Sequence, residues 1–203
     1  MDLDEAIRTR RSNRNFEEHE INIQELKKML ESGSLAPSAK NRQPWFFYVI
    51  YNEDCKKNFL ESMRQGILEL EQLYKSKNIV RPDIAGAKYT VKSMEKAAAI
   101  ILVTCKKKYA DIYEDGVQWP LQARDIEVTD ILSIGAAIQN ILLKATEMGY
   151  GTLWVCDIFY AYSRIEEFLQ TKDPIVSAIC IGKPNQESRM PGRLPLNEII
   201  TII

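Results

Sequence analysis

Residues 130–156 read "DILSIGAAIQNILLKATEMGYGTLWVC", a helix and a strand written end to end. Ile131, Ile134, Ala137, Ile138, Ile141, Leu142, Ala145 and Met148 recur at three- and four-residue intervals, which is the apolar stripe of a buried helix over 130–148. Thr129 or Asp130 is placed to cap it, and Gly149 is placed to stop it. Ala136, Ala137 and Ala145 are small enough to let another element approach closely. After the glycine the period changes, and "YGTLWVC" (150–156) reads as a strand.

Working outward, three more apolar runs have strand character: "WFFYVIY" (45–51), "AAAIILVTC" (97–105) and "IVSAICIG" (175–182). Helical spacing appears in Leu3, Ala6, Ile7 and Arg10 behind Asp2, and in Ile23, Leu26, Met29 and Leu30 behind Asn22, with Gly33 as the expected end. Phe59, Leu60, Met63, Ile67, Leu70 and Tyr74 mark a long helix from 54 to about 77. Pro82 and Gly86 break up 78–96, where a short helix resumes near Tyr89, and Ser163 with Glu166 forms a capping-box pattern. Residues 106–128 look irregular. Without a βαβ rhythm, these elements predict an α+β fold with a central mixed sheet flanked by helices. One domain over 1–203 is expected, with 54–96 and 106–128 as lid-like excursions.

The chain carries a net charge of −1 with a pI near 6.0, against the basic face expected of a nucleic-acid binder. Cys55, Cys105, Cys156 and Cys180 form no CxxC pair, and Cys105 and Cys180 sit in apolar runs, the pattern of buried free thiols in a reducing compartment. No secretory h-region opens the sequence, and its uninterrupted apolar runs are too short to span a bilayer. A cytoplasmic protein with no membrane and no nucleic-acid partner is the expectation. His19 is the only histidine and sits in the polar stretch "FEEHEI", which argues against histidine-based triads and metal sites. Neither GxGxxG nor GxxxxGK[ST] nor GxSxG occurs. With those absent, a bound cofactor is the simplest source of chemistry.

The strongest functional signal is "RTRRSNR" (8–14): Arg10, Arg11, Ser12 and Arg14 offer guanidinium forks and a hydroxyl suited to a phosphate dianion. Taken alone, the same run also suits a solvated basic turn complementing a helix C-terminus. "APSAKNRQPW" (36–45) is a loop of small and amide residues ahead of a strand, and Arg193 stands alone between prolines in "PGRLPL". With the 130–156 segment, "IGKPN" and "RLPLNEII", these motifs resemble the FMN-dependent nitroreductase family over nearly the whole chain.

The resemblance implies a homodimer with FMN at the subunit interface, NAD(P)H as electron donor and ping-pong hydride transfer to a small aromatic substrate such as a nitro compound or quinone. By position, Arg10, Arg11 and Ser12 would hold the phosphate and ribityl chain, Arg193 would close over the phosphate, and Arg14 would face the pyrimidine edge. Pro37, Ser38, Ala39 and Asn41 would come from the partner subunit. Val155 and Cys156 would lie against the isoalloxazine and offer a backbone N–H toward N5. The apolar tail "NEIITII" would be exchanged between subunits as a strand; from the residues alone, it must pair either in its own chain or in a neighbour. Cys156 stands where relatives often have glycine, so its thiol is either a packing group or a modulator of access. Ala39 replaces a frequent hydroxyl.

Two other readings belong beside this one. A reductive dehalogenase of the same fold would use a Glu, Tyr and Lys in a lid, for which Glu71, Tyr74 and Lys75 are the available set. An FMN storage or sensing protein would bind flavin without turnover. Trp45 and Phe47 are expected in the core, Trp154 either in the core or beside the flavin. Tyr109, Tyr113 and Trp119 either line a pocket or pin the irregular segment, and Lys106–Lys108 either is a solvated strand end or attracts a phosphorylated nicotinamide.

Overall fold

A computed structural model describes residues 1–80, 83–106, 123–186 and 188–203. Four strands form one sheet: β1 (Trp45–Ile50), β2 (Ala99–Cys105), β3 (Gly151–Val155) and β4 (Ile175–Gly182), in the order β1-β2-β4-β3. The expected mixed sheet is antiparallel in all three of these pairings; its parallel component is a single bridge between Ser12 and Thr152. Trp45 faces Cys105 across β1 and β2, Ile100 faces Cys180 across β2 and β4, and Leu153 faces Cys180 across β3 and β4.

Every residue of β2 is buried. Its even positions, Ile100 and Leu102, share one hydrophobic cluster with Ala178, Cys180, Leu153 and Val155, while Ala99, Ile101 and Val103 share another with Ile179 and Ile181. A two-residue period would ordinarily leave one face polar; here both faces are covered, so the strands read as unbroken apolar runs. The first face is covered by α3 (Glu53–Ser76), α4 (Asp83–Met94) and α6 (Tyr162–Leu169), the second by α2 (Ile23–Ser34) and α5 (Ala123–Glu147). Cys105 and Cys180 are buried free thiols as expected, and burial pushes the Cys180 thiol up to about 12.

Local chemistry sets most helix ends. Asp2 Oδ1 accepts the Glu5 N–H at 2.8 Å to open α1 (Leu3–Thr9), and Asn22 Oδ1 accepts the Gln24 N–H at 2.8 Å to open α2. At the far end of α5, Gly149 takes φ +77 and the Tyr150 N–H bonds back to the Ala145 carbonyl at 2.8 Å. Other ends differ from the sequence reading. Gly33 lies inside α2, where a Cβ would stand 2.7 Å from Ile141 Cγ1, so it sets the approach of α2 to α5 instead of ending the helix. α4 starts at Asp83 and runs through Gly86. α5 begins at Ala123, ahead of Thr129 and Asp130, and Asp130 lies inside the helix, committed to an ion pair and not to a cap. The Ser163–Glu166 box does not form; a 3-10 turn over Asp157–Ala161 feeds α6 directly from Ala161.

Residues 107–122, with Tyr109, Tyr113, Trp119, Lys107 and Lys108, lie outside the described residues, so most of the proposed 106–128 excursion does too. Lys106 sits 4.0 Å over the Phe46 ring. The window Glu127–Glu147 of α5 is long and apolar enough by composition to cross a bilayer, yet Ile134, Ala137, Ile138 and Ile141 are buried against α2 and the sheet, as in a core helix. Trp45 and Phe47 pack in that same core. The tail forms only a 3-10 turn over Leu196–Glu198, and Ile199, Ile200, Ile202 and Ile203 are exposed, so it finds no strand partner in its own chain among the described residues.

Gly66 and Gly86 should respond oppositely to alanine. A Cβ at Gly66 would lie 2.6 Å from Ala161 Cα, a backbone contact that cannot yield cheaply, whereas one at Gly86 meets nothing within 4 Å. Gly66→Ala is expected to destabilise by about 1–3 kcal/mol, and Gly86→Ala to stabilise by about 0.5–1 kcal/mol. Urea unfolding of the two variants checks both signs.

Candidate functional site

The arginine-rich segment is held as a rail along the open edge of the sheet. The Asn13 N–H donates to the Thr152 carbonyl at 2.8 Å, Glu17 N–H to the Lys183 carbonyl at 3.0 Å, and Asn185 N–H to the Asn15 carbonyl at 3.2 Å. Phe16, fully buried, pins the rail into the core. Asn13 Nδ2 donates to Ser188 Oγ at 3.0 Å, which ties the start of the C-terminal segment to the same place.

Here Arg10, Arg11 and Arg193 come together, although Arg193 lies near the other end of the sequence. Arg11 donates to the Arg8 and Arg10 carbonyls at 2.5 and 2.7 Å, and Arg193 to the Gly192 carbonyl at 3.0 Å. Arg10 is partly buried and has no side-chain acceptor among the described residues. Its pKa is lowered, first by desolvation and then by the charges of Arg11 and Arg193. Arg8 stands apart, paired with Asp4 at 2.7 Å. Three guanidinium groups of like charge, two of them oriented by backbone carbonyls, form a cradle whose electrostatic penalty an oxyanion would remove.

Ser12 and Arg14 face a different cleft, of about 790 Å³, which they share with Tyr89, Lys92, Lys96 and Arg189. Sequence reading missed Lys92, Lys96 and Arg189, because no local pattern marks cations that only the fold assembles. α4, which carries Lys92, is clamped to the turn after β3: Thr90 Oγ1 donates to Asp157, and Tyr160 OH donates to Asp83 Oδ2 at 2.5 Å. On the strand side of that turn, Val155 is buried and Cys156 is exposed, so Cys156 is no core packing residue in the single chain. Its thiol is shifted up by desolvation and by Asp157, which keeps it protonated. Trp154 is 40% exposed, with Gly135 of α5 beside its indole.

The loop with Pro37, Ser38, Ala39 and Asn41 lies elsewhere. Lys40, Asn41 and Gln43 adopt positive φ of 51, 54 and 48, a strained path for residues other than glycine. Ser38 Oγ accepts the Gln43 N–H at 3.0 Å and Ser133 Oγ accepts the Ala39 N–H at 3.3 Å. Arg42 donates to Asp130 Oδ1 through Nη2 at 2.6 Å and Nε at 2.9 Å, and to Thr129 Oγ1 at 2.7 Å. The loop is thus anchored beside Ser133 on α5, while Arg11 borders Thr146 and Gly149 at the helix's other end. At 1.5 Å per residue, Ser133 and Thr146 are about 20 Å apart along the axis. One chain does not bring Pro37–Asn41 to the arginines. Glu71, meanwhile, is engaged by Lys88 at 2.8 Å and Lys75 at 3.5 Å, so two members of the lid set bind each other.

The Arg42–Asp130 pair, with side chains 13% and 1% exposed, is the anchor of the strained loop. Asp130→Asn removes the carboxylate of this buried pair and is expected to destabilise by about 3–5 kcal/mol. A urea midpoint shift equivalent to less than about 1 kcal/mol would show that the loop is held by other contacts.

Comparison with known proteins places this geometry. The Nitroreductase family model matches residues 7–183. A protein of Archaeoglobus fulgidus, provisionally named NADH dehydrogenase/NAD(P)H nitroreductase, is 27% identical over 186 residues, covering 89% of this chain and 84% of its own. Among solved structures, a BluB-like flavoprotein from Clostridium difficile 630 superposes with a TM-score of 0.78 at 24% identity, covering 100% of this chain and 99% of that one. An FMN and NADPH-dependent nitroreductase, NfnB, from Sphingopyxis sp. strain HMH gives 0.75 at 20% identity, covering 100% and 99%. With the family model matched across the sheet, the helices on both its faces and most of the arginine rail, this chain belongs to the nitroreductase family.

Proposed function

We propose that this chain is a single-domain, FMN-dependent NAD(P)H oxidoreductase that works as a homodimer in the cytoplasm and reduces electron-poor aromatics such as nitro compounds or quinones. The observation that carries this reading is the cradle of Arg10, Arg11 and Arg193, three mutually repelling cations with no carboxylate partner among the described residues. A phosphomonoester dianion fits it: guanidinium groups bind phosphate in bidentate fashion, and the Ser12 hydroxyl, facing the neighbouring cleft on the same rail, would serve the ribityl chain. Bound there, FMN supplies hydride acceptance from a nicotinamide and hydride delivery to the acceptor, so no acid–base side chain is required. Family relatives crystallised with FMN, among them a protein of Exiguobacterium sibiricum 255-15 with a TM-score of 0.76 at 22% identity, support the choice of cofactor.

Each remaining residue has a task set by its place. Arg14 and Lys92, in the cleft next to Ser12, put positive charge where the flavin's pyrimidine end gains negative charge on reduction. Val155 and Cys156 would offer the end of β3 to the flavin, the Cys156 backbone N–H serving as a hydrogen-bond donor to it and the neutral thiol adding no charge. Pro37, Ser38, Ala39 and Asn41 serve the partner's flavin, since in their own chain they sit at the wrong end of α5. The exposed Ile199–Ile203 tail is buried on the partner subunit. Free thiols without a disulfide suit the reducing cytoplasm.

Arg193→Ala is expected to raise the FMN dissociation constant at least tenfold, the loss of a charged hydrogen-bonding group being worth about 1.5–3 kcal/mol. Unchanged FMN retention on dialysis would remove Arg193 from the phosphate site. An anaerobic visible spectrum before and after NADH and then NADPH tests the activity itself. Bleached flavin bands identify a flavoreductase and its donor; bands that persist identify an FMN store or sensor; a protein that stays colourless with FMN ends the reading.

A further inference from the structure

The protein holds more uncompensated positive charge around this site than FMN has use for. Arg10, Arg11 and Arg193 already match a phosphate dianion. Beyond them, Arg14, Lys92, Lys96 and Arg189 line the neighbouring cleft, and none of the four side chains has a hydrogen bond or ion pair among the described residues. The carboxylate in the cleft wall, Glu95, is occupied by Arg64 at 2.8 Å. A flavin's pyrimidine end gains a single negative charge on reduction, which Arg14 and Lys92 suffice to meet. Lys96 and Arg189 remain.

Neither is explained by its local setting. α4 ends at Met94, so the helix dipole accounts for Lys92 in the last turn but not for Lys96 beyond it. Lys96 also borders a groove carrying Glu18, Glu20 and Glu53, so its charge faces that acidic groove on one side and the cleft on the other. Arg189 follows Ser188, whose hydroxyl is fastened to Asn13 at 3.0 Å and to the Ser12 carbonyl at 3.4 Å, so its backbone is fixed beside the cleft. The cleft wall carries the four cations against the single carboxylate of Glu95, and a concave wall with such an excess concentrates its field and draws oppositely charged ligands. On an acidic protein with a net charge of −1, this local excess is the opposite of the average.

Resting on the flavin reading above, we propose that the molecule exchanging electrons with the flavin carries its own oxyanion, seated on Lys96 and Arg189. Two sources share that chemistry: the carboxylate of an aromatic acid acceptor, and the adenosine 2′-phosphate of NADPH as donor. The reaction that reads it out is ArNO2 + NAD(P)H + H+ → ArNO + NAD(P)+ + H2O, in which one N–O bond breaks, the donor is oxidised by two electrons and the oxygen leaves as water.

The experiment compares 4-nitrobenzoate with the neutral isostere 4-nitrobenzamide, and NADPH with NADH, on the FMN-loaded wild type and on the Lys96→Gln/Arg189→Gln double variant. At low ionic strength the wild type is expected to show at least a tenfold preference in kcat/KM for the member of one pair that bears the additional oxyanion, expressed in KM and weakened by salt. In the double variant that preference falls toward parity, while kcat with 4-nitrobenzamide and NADH is unchanged. A fall confined to the nitrobenzoate ratio assigns the oxyanion to the acceptor, and a fall confined to the NADPH ratio assigns it to the donor. Equal ratios in wild type and variant overturn the proposal. Should the wild type hold no FMN, the function above fails first; calorimetry with 4-nitrobenzoate on the flavin-free protein then decides the cleft. Binding that the double variant loses supports it, and no binding, or binding the variant keeps, ends it.

Discussion

Everything in this fold depends on a sheet with no wet face. β2 is hydrogen-bonded on both edges and buried on both sides, so helices must cover the sheet front and back and no charged group sits on its two central strands. Chemistry is therefore pushed to the outer strands and to the segments that run past them. β3 is one such strand, and the Ser12–Glu17 rail beside it is tied down by backbone hydrogen bonds and by buried Phe16. A charged segment gains a fixed position this way without any of its charged groups entering the core.

Electrostatics divide the molecule into two kinds of cation. Arg42, enclosed with Asp130, is structural: its charge is cancelled in place and its task is to hold a strained loop on α5. Arg10, Arg11 and Arg193 are the reverse, converging without cancellation. Like charges held together weaken the folded state until a counter-ion arrives. A ligand that binds only the folded chain returns that stability by mass action, so such a cradle couples cofactor loading to folding.

Much of this was legible in the sequence, and the exceptions have one cause. Strands read correctly because double-sided burial writes them as continuous apolar runs, and Asp2, Asn22 and Gly149 acted locally as caps and stop. Arg10, Arg11 and Arg193 were visible as a pattern that the fold then drew together. What failed depended on distant partners. Asp130 resembled a cap until Arg42 claimed it, and Gly33 resembled a terminator until Ile141 filled the space against it. The capping box at Ser163 was pre-empted by the turn feeding α6. Strand direction was misjudged because it follows the path of the connections, on which side-chain alternation is silent. Lys96 and Arg189 share a cleft through the folding of the whole chain, and no window of sequence contains both.

The length of α5 between the loop and the arginines has a genetic consequence under the proposed assembly. Each site takes its arginines from one copy and its loop from the other. A chain crippled in the loop and a chain crippled in the cradle would therefore restore one whole site when they pair, leaving the second site doubly broken. Two alleles, each inactive in isolation, would complement to half of the normal complement of sites in their mixed dimers. A single defective copy, by contrast, would spoil one site in every normal partner it met.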